Sequence, residues 1–272
     1  MGKTETDLAG LLPRLERLAR AAGEVALRYF RPGERTRAEV SYKHGGSPVT
    51  EADIAVDRFL FERFSDLVPD AGWLSEETVD TDARLSRARL FVVDPIDGTK
   101  AYSRGDLRWA VSIALVEGSR PVAGVVHAPA LEQTFTAAAG FGAFLNGDPI
   151  EVSRREALAG ARIIAPTGLS TFFAASPLKL QIAPRTPSLA LRLSDIAAGR
   201  QDLAITSPNA RDWDIAAADV ILTEAGGVLG EFAGAPLVYN RPDSRRDTLV
   251  AAPRALFPGG IDLARAALKG RS

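Results

Sequence analysis

The chain has 272 residues, 46% of them hydrophobic and 25% charged, which is globular composition and excludes a disordered chain. Its formal charge of -1 excludes a global basic field for a nucleic acid polymer or an anionic membrane, so any anion must be held by a local device. With no cysteine and only His44 and His127, disulfides, thiolate nucleophiles and three-histidine metal sites are excluded as well.

The N-terminus, MGKTETDLAG, lacks the basic-then-apolar order of a signal peptide. No apolar run reaches the roughly 18 residues of a membrane span. A cytoplasmic location is expected, and both histidines sit where a structural or solvated role is the simpler reading.

Leu8, Leu11, Leu12, Leu15, Leu18, Ala19, Ala22, Val25, Ala26 and Tyr29 recur at spacings of three and four, predicting an amphipathic helix after a Thr6-Asp7 cap. A second helical pattern, with Ile54, Val56, Phe59, Leu60, Phe61 and Phe64, begins at Thr50 and carries Glu51 and Asp53 in its first turn. Between residues 89 and 152 the period shortens. The segments LFVV, WAVSIALVEG, RPVAGVVHAPA and QTFTAAAG predict a sheet, with a turn at Asn146-Gly147.

After the connection SRREALAGA, strands and helices alternate. RIIAP, LKLQIA, DLAIT, GVLGEF and TLVAAP read as strands, and SLALRLSDIAAG, WDIAAADVILTEAGG and GIDLARAALKG as helices. Gly199 and Gly226-Gly227 stand where helix C-caps are expected. The expected class is α/β, with an N-terminal α+β unit over 1–155 and a C-terminal α/β unit over 156–272.

Four places combine carboxylates with sharp turns: SPVTEAD (Asp53), WLSEET (Glu76, Glu77), DPIDGT (Asp94, Asp97) and RDWDIAAAD (Asp212, Asp214). Each has a plain structural reading: Thr50-x-x-Asp53 is a capping box, Ser75-Glu76-Glu77 a solvated turn, Asp94-Pro95 a turn opener, and Asp212 or Asp214 a helix cap. Their neighbours argue for more. Asp94 ends a fully apolar strand, Glu76 follows Trp73-Leu74, and Asp214 lies between Trp213 and Ile215.

Two like charges about 4 Å apart repel by roughly 4 kcal/mol at an effective dielectric near 20. A hard divalent cation relieves that repulsion, and oxygen-only donors select Mg2+, Mn2+ or Ca2+. Gly98 and Thr99, directly after Asp97, let backbone amides approach an anion, and a helix opening there would aim its positive end at it. Carboxylates for metal beside amides for phosphate point to phosphoryl transfer. The Thr99 hydroxyl could cap a helix or orient an attacking water with Asp53; spacing leaves both open.

The blocks DPIDGT, SPVTEAD, LSEE and WDIAAADVILTEAGG together resemble the signature blocks of the inositol monophosphatase superfamily, in order and over roughly residues 8–268. The resemblance implies a layered αβαβα sandwich and a Mg2+-dependent, typically lithium-sensitive phosphomonoesterase with two or three ions, often homodimeric. It assigns Glu76, Asp94 and the Ile96 carbonyl to a first metal and Asp94, Asp97 and Asp214 to a second. A third, weaker position would lie near Glu76 and the phosphate, and the ligand is the first glutamate of the Glu76-Glu77 doublet.

The same resemblance pairs Asp53 with Thr99 to activate the nucleophilic water, and gives the phosphate to the amides of Gly98 and Thr99. Family members acting on inositol phosphates tend to carry DGTTNF and a glutamate seven residues before the last metal aspartate. Here these read DGTKAY and Ser207. With LSEE and APLVYN, the pattern looks more like the 3'(2'),5'-bisphosphate nucleotidases, the CysQ-like branch acting on 3'-phosphoadenosine 5'-phosphate. Lys43 and Lys100 are candidate contacts for a second phosphate. The competing readings are an inositol monophosphatase and a non-catalytic phosphate or cation binder.

Overall fold

The computed structural model describes residues 7–42, 48–232 and 236–269. Its N-terminal elements are α1 (Leu8–Leu27), β1 (Val40–Tyr42), β2 (Pro48–Thr50) and α2 (Glu51–Phe64). The strands β3 (Gly72–Ser75) and β4 (Arg89–Asp97) follow, then the single turn α3 (Thr99–Tyr102). Next come β5 (Ala110–Glu117), β6 (Arg120–Ala128), β7 (Gln133–Ala138), β8 (Gly142–Leu145) and β9 (Asp148–Ile150). The remainder runs β10 (Arg162–Ile164), α4 (Ser170–Ala174), β11 (Gln181–Ile182), α5 (Leu189–Ala197), β12 (Leu203–Ile205), α6 (Asp212–Glu224), β13 (Gly227–Glu231), β14 (Leu249–Pro253) and α7 (Phe257–Lys269).

Strands β3 to β9 form one sheet in sequence order, antiparallel except for the β3–β4 pair. Along β5 the side chains alternate between two cores. Val111, Ile113 and Leu115 meet the α1–α2 layer, while Ala110, Ala114 and Val116 meet α5 and α6. The second sheet has the order β11-β10-β12-β14-β13, and its far face packs on α4 and α7. The result is the expected five-layer sandwich, helices and sheets in turn, with α5 and α6 between the sheets. Gly124 makes the inner packing possible, because a Cβ there would lie 2.7 Å from the Ala217 carbonyl oxygen of α6.

The first helix starts at its expected cap, with Asp7 accepting from the Gly10 amide at 3.0 Å. The second starts at Thr50, but its buried face is Ala52, Val56, Leu60 and Phe64. Ile54 and Phe61, expected in the apolar pattern, are 49% and 56% exposed. They repeat every seven residues, as the buried set repeats every four, and only one of the two stripes can face the sheet.

The alternation after residue 161 does not give an all-parallel sheet, because β14 pairs antiparallel with both β12 and β13. The strand β3, the β1–β2 hairpin and α4 carry too few residues to show a period. His127 is buried with Nδ1 2.9 Å from Thr134 Oγ1, whereas His44 lies outside the described residues. Among the described residues, no helix is long and apolar enough to cross a membrane.

Candidate active site

Strand β4 is buried from Leu90 onward and its register against β5 shifts between Asp94 and Asp97, where Pro95 interrupts the ladder. Asp94 Oδ1 then accepts from the Ile96 amide at 3.0 Å, tying the turn to the strand end. Gly98 takes φ 98°, which a side chain would disfavour, and redirects the chain into α3. That helix is one turn long, so an anion beside it meets individual amides rather than the macrodipole expected from the sequence.

The capping box at Thr50 is real and leaves room for a second task. Asp53 Oδ2 accepts from the Thr50 amide at 2.8 Å and the Thr50 hydroxyl at 2.5 Å. Asp53 Oδ1 is left for the Thr99 hydroxyl, 3.1 Å away, which also lies 3.1 Å from the Ile96 carbonyl. Burial pushes the Asp53 carboxyl up to about 6, against the hydrogen bonds of Thr50 and Thr99 and with a further lift from the charge of Glu76.

Glu76, Asp94 and Asp214 each bring one carboxylate oxygen within 4.8 Å of the others. Burial, then the charges of Glu76, Asp97, Asp214 and Asp53, raise Asp94 well above the usual range. Asp214 is raised by burial and by Asp97, although its carboxylate accepts from the Arg211 amide at 2.7 Å. Arg192 and Arg211 act on Asp97 and Asp214, but behind burial and hydrogen bonding. The donor chemistry therefore fits a hard divalent cation, since these oxygens converge without nitrogen or sulfur and the neighbouring acids raise both Asp94 and Asp214.

Asp97 stands slightly apart. Its Oδ2 accepts from Ser188 Oγ at 2.5 Å and from the Ala190 amide at 2.6 Å, so it docks the start of α5 onto the end of β4. Burial raises its pKa, and these same bonds oppose the rise. Ser188 also caps α5, accepting from Leu191. A serine before a helix is legible as a cap, but a partner 91 residues away is not.

The two aspartates of RDWD are divided. Asp212 makes a 2.6 Å ion pair with Arg246, both side chains being 2% exposed or less, and is thereby a structural group. Asp214, two residues on, faces Glu76 and Asp94. Among the proposed substrate contacts, Gly98 is half-buried, Thr99 is buried and Lys100 is exposed on α3; Lys43 lies outside the described residues.

A cleft of about 200 Å3 opens beside this group, lined by Asp97, Asp214, Arg185, Arg192, Ser207 and Asn209 among others. Arg192 is buried, donates to the Thr186 carbonyl at 2.9 Å and has its pKa lowered to about 10, chiefly by burial and then by the charge of Arg185. The sequence motifs did not single out either arginine, because neither belongs to an acid-bearing turn.

Residues 7–267 match the inositol monophosphatase family. The 3'(2'),5'-bisphosphate nucleotidase CysQ of Aggregatibacter actinomycetemcomitans is 32% identical over 243 residues, 86% of this chain and 89% of that protein. An inositol monophosphatase of Mesembryanthemum crystallinum is 33% identical over 228 residues, 79% and 83% of the two chains. Among solved structures, an IMPase of Thermotoga maritima superposes with a TM-score of 0.83 at 26% identity, covering 96% of this chain and 98% of that one. The chain, with its acids gathered where the strand, the turn and α6 meet, belongs to the inositol monophosphatase family and is a phosphoric monoester hydrolase.

Proposed function

We propose that the protein is a Mg2+-dependent phosphomonoesterase whose preferred substrate is 3'-phosphoadenosine 5'-phosphate. The observation that carries the substrate is the cleft that places Arg185 and Arg192 beside Asp97 and Asp214. Two guanidinium groups next to the hydrolytic acids suit a substrate that keeps a second phosphate while losing the first. Ser207 lines the same cleft at the position where an inositol-specific glutamate would stand.

In this reading residues 1–155 supply Asp53, Glu76, Asp94, Asp97 and Thr99, and residues 156–272 supply Asp214 and the cleft arginines. Glu76, Asp94, Asp97, Asp214 and the Ile96 carbonyl would hold two ions, with a third near Glu76. Mg2+ bound there would neutralise the acids and stabilise charge on the phosphoryl oxygens. Thr99 donates its hydroxyl hydrogen to Asp53 Oδ1, which leaves its oxygen free to accept from a water and aim it. Asp53, with its carboxyl near 6, is a stronger base than an exposed aspartate and takes up the proton the water loses. The amides of Gly98 and Thr99 border the phosphate, with Lys100 as an outer contact.

The second reading is an inositol monophosphatase, supported by the plant relative, 33% identical against 32% for the nucleotidase. A side-by-side assay of 3'-phosphoadenosine 5'-phosphate and inositol 1-phosphate with Mg2+, with and without lithium, separates them. A higher kcat/KM for the bisphosphate is expected. A preference for the inositol ester would overturn the substrate assignment and leave the phosphatase.

A further inference from the structure

We infer that Asp57 is a positioning residue that sets Glu76 for metal binding, by clamping the two hydroxyls that flank the Glu76-Glu77 doublet. The inference rests on the metal reading of the acid group.

Of the three converging acids, Glu76 is the one placed outside a helix or a doubly paired strand. Asp94 lies in β4, which is paired on both sides, and Asp214 lies in the first turn of α6. Glu76 instead follows β3, the edge strand of its sheet, and enters an irregular segment directly. The Glu76 amide holds the strand side through a 3.2 Å bond to the Val93 carbonyl.

The other side is held from α2. The Ser75 hydroxyl donates to Asp57 Oδ1. The Thr78 hydroxyl donates to Asp57 Oδ2 at 2.8 Å. Around this bridge the Glu77 amide donates to Ser75 Oγ at 3.3 Å and Trp73 Nε1 to Thr78 Oγ1 at 3.2 Å. One carboxylate thus grips residues 75 and 78 and fixes the two glutamates between them.

Asp57 also stands one helical turn beyond Asp53, on the same side of α2. The helix that carries the candidate base therefore carries the clamp for the metal loop, and α2 sets the distance between the two. Hydrogen bonds of this outer kind orient metal ligands, and their loss typically lowers metal affinity by about 10- to 100-fold.

The test is a calorimetric titration of Mn2+ alone into the full chain, together with the Mg2+ concentration giving half-maximal phosphate release. Asp57→Ala should raise the Mn2+ Kd and the Mg2+ half-saturation by about tenfold or more. Asp57→Asn can accept from one hydroxyl and donate to the other, so it should restore most of the affinity. If Asn loses as much as Ala, the aspartate charge and not the clamp is responsible, and the inference falls. Thr78→Val, a change at an exposed loop position, gives the same reading should Asp57→Ala not fold, with a smaller rise in Kd expected. Wild-type affinity in folded Asp57→Ala, or in Thr78→Val when that substitutes for it, would overturn the clamp alone. A wild-type protein that binds no Mn2+ would overturn the metal reading with it.

Discussion

Thr99 and Asp53, 46 residues apart in the chain, are joined by a 3.1 Å hydrogen bond from the threonine hydroxyl to Oδ1, the carboxylate oxygen not used by the helix cap. Thr99→Ala removes the hydroxyl that would aim the water and leaves the acid group intact. We expect kcat to fall by about 10²- to 10⁴-fold, with Thr99→Ser largely restored and Mg2+ affinity little changed. Steady-state kinetics with a metal titration checks this; an unchanged kcat in Thr99→Ala would remove the pair from the reaction.

The Asp212–Arg246 pair predicts a stability effect separable from chemistry. Both side chains are buried, and removing the arginine leaves a carboxylate whose pKa burial already raises. Arg246→Ala should destabilise by about 3–5 kcal/mol, read from the midpoint and slope of urea unfolding. The pair Asp212→Asn with Arg246→Met should recover part of the loss. Equal stability of wild type and Arg246→Ala would show that the pair contributes nothing.

These two aspartate stories show where the sequence was legible and where it stopped. A helix beginning near Trp213 follows from its apolar run, and the DPIDGT turn follows from a strand that ends in charge. That Asp212 faces an arginine and Asp214 faces the acids does not follow, because both lie in the first turn of the same helix and the partner Arg246 is 34 residues away. Likewise a period of 3.6 predicts α2 but not which apolar stripe docks, so Ile54 and Phe61 fell on the wrong side. Arg185, Arg192 and Asp57 were missed because their meaning lies in packing between distant segments, with no local signal beyond an ordinary charge.

The buried His127 predicts an acid limb of the stability curve. Its pKa is lowered from 6.5 to about 4, first by burial and then by the charge of Arg20. Between these values the unfolded chain binds the proton and the folded chain does not, so stability is full above 6.5 and is lost as pH falls toward 4. The loss amounts to about 3 kcal/mol. Urea unfolding at pH 7 and pH 4.5 should show a smaller drop for His127→Gln than for wild type, whereas identical drops would contradict the assignment.

The cleft arginines predict a split between substrates. Arg185 is exposed, so Arg185→Ala should fold normally. Loss of one charged hydrogen bond to the retained phosphate should raise KM for the bisphosphate by roughly tenfold or more. A simple monoester such as inositol 1-phosphate, lacking that phosphate, should change little. Equal effects on both substrates would take Arg185 out of specificity.

The central claim is that Glu76, Asp94 and Asp214, with Asp97 beside them, converge to hold a divalent cation for ester hydrolysis. Its most direct test is Mg2+-dependent phosphate release by Asp94→Asn beside wild type, at matched folded content. Replacing a buried, mutually repelled carboxylate by its neutral isostere should leave the metal-free protein as stable as wild type or more so, while phosphate release falls to background at any Mg2+ concentration. Turnover at the wild-type rate in Asp94→Asn would contradict the account.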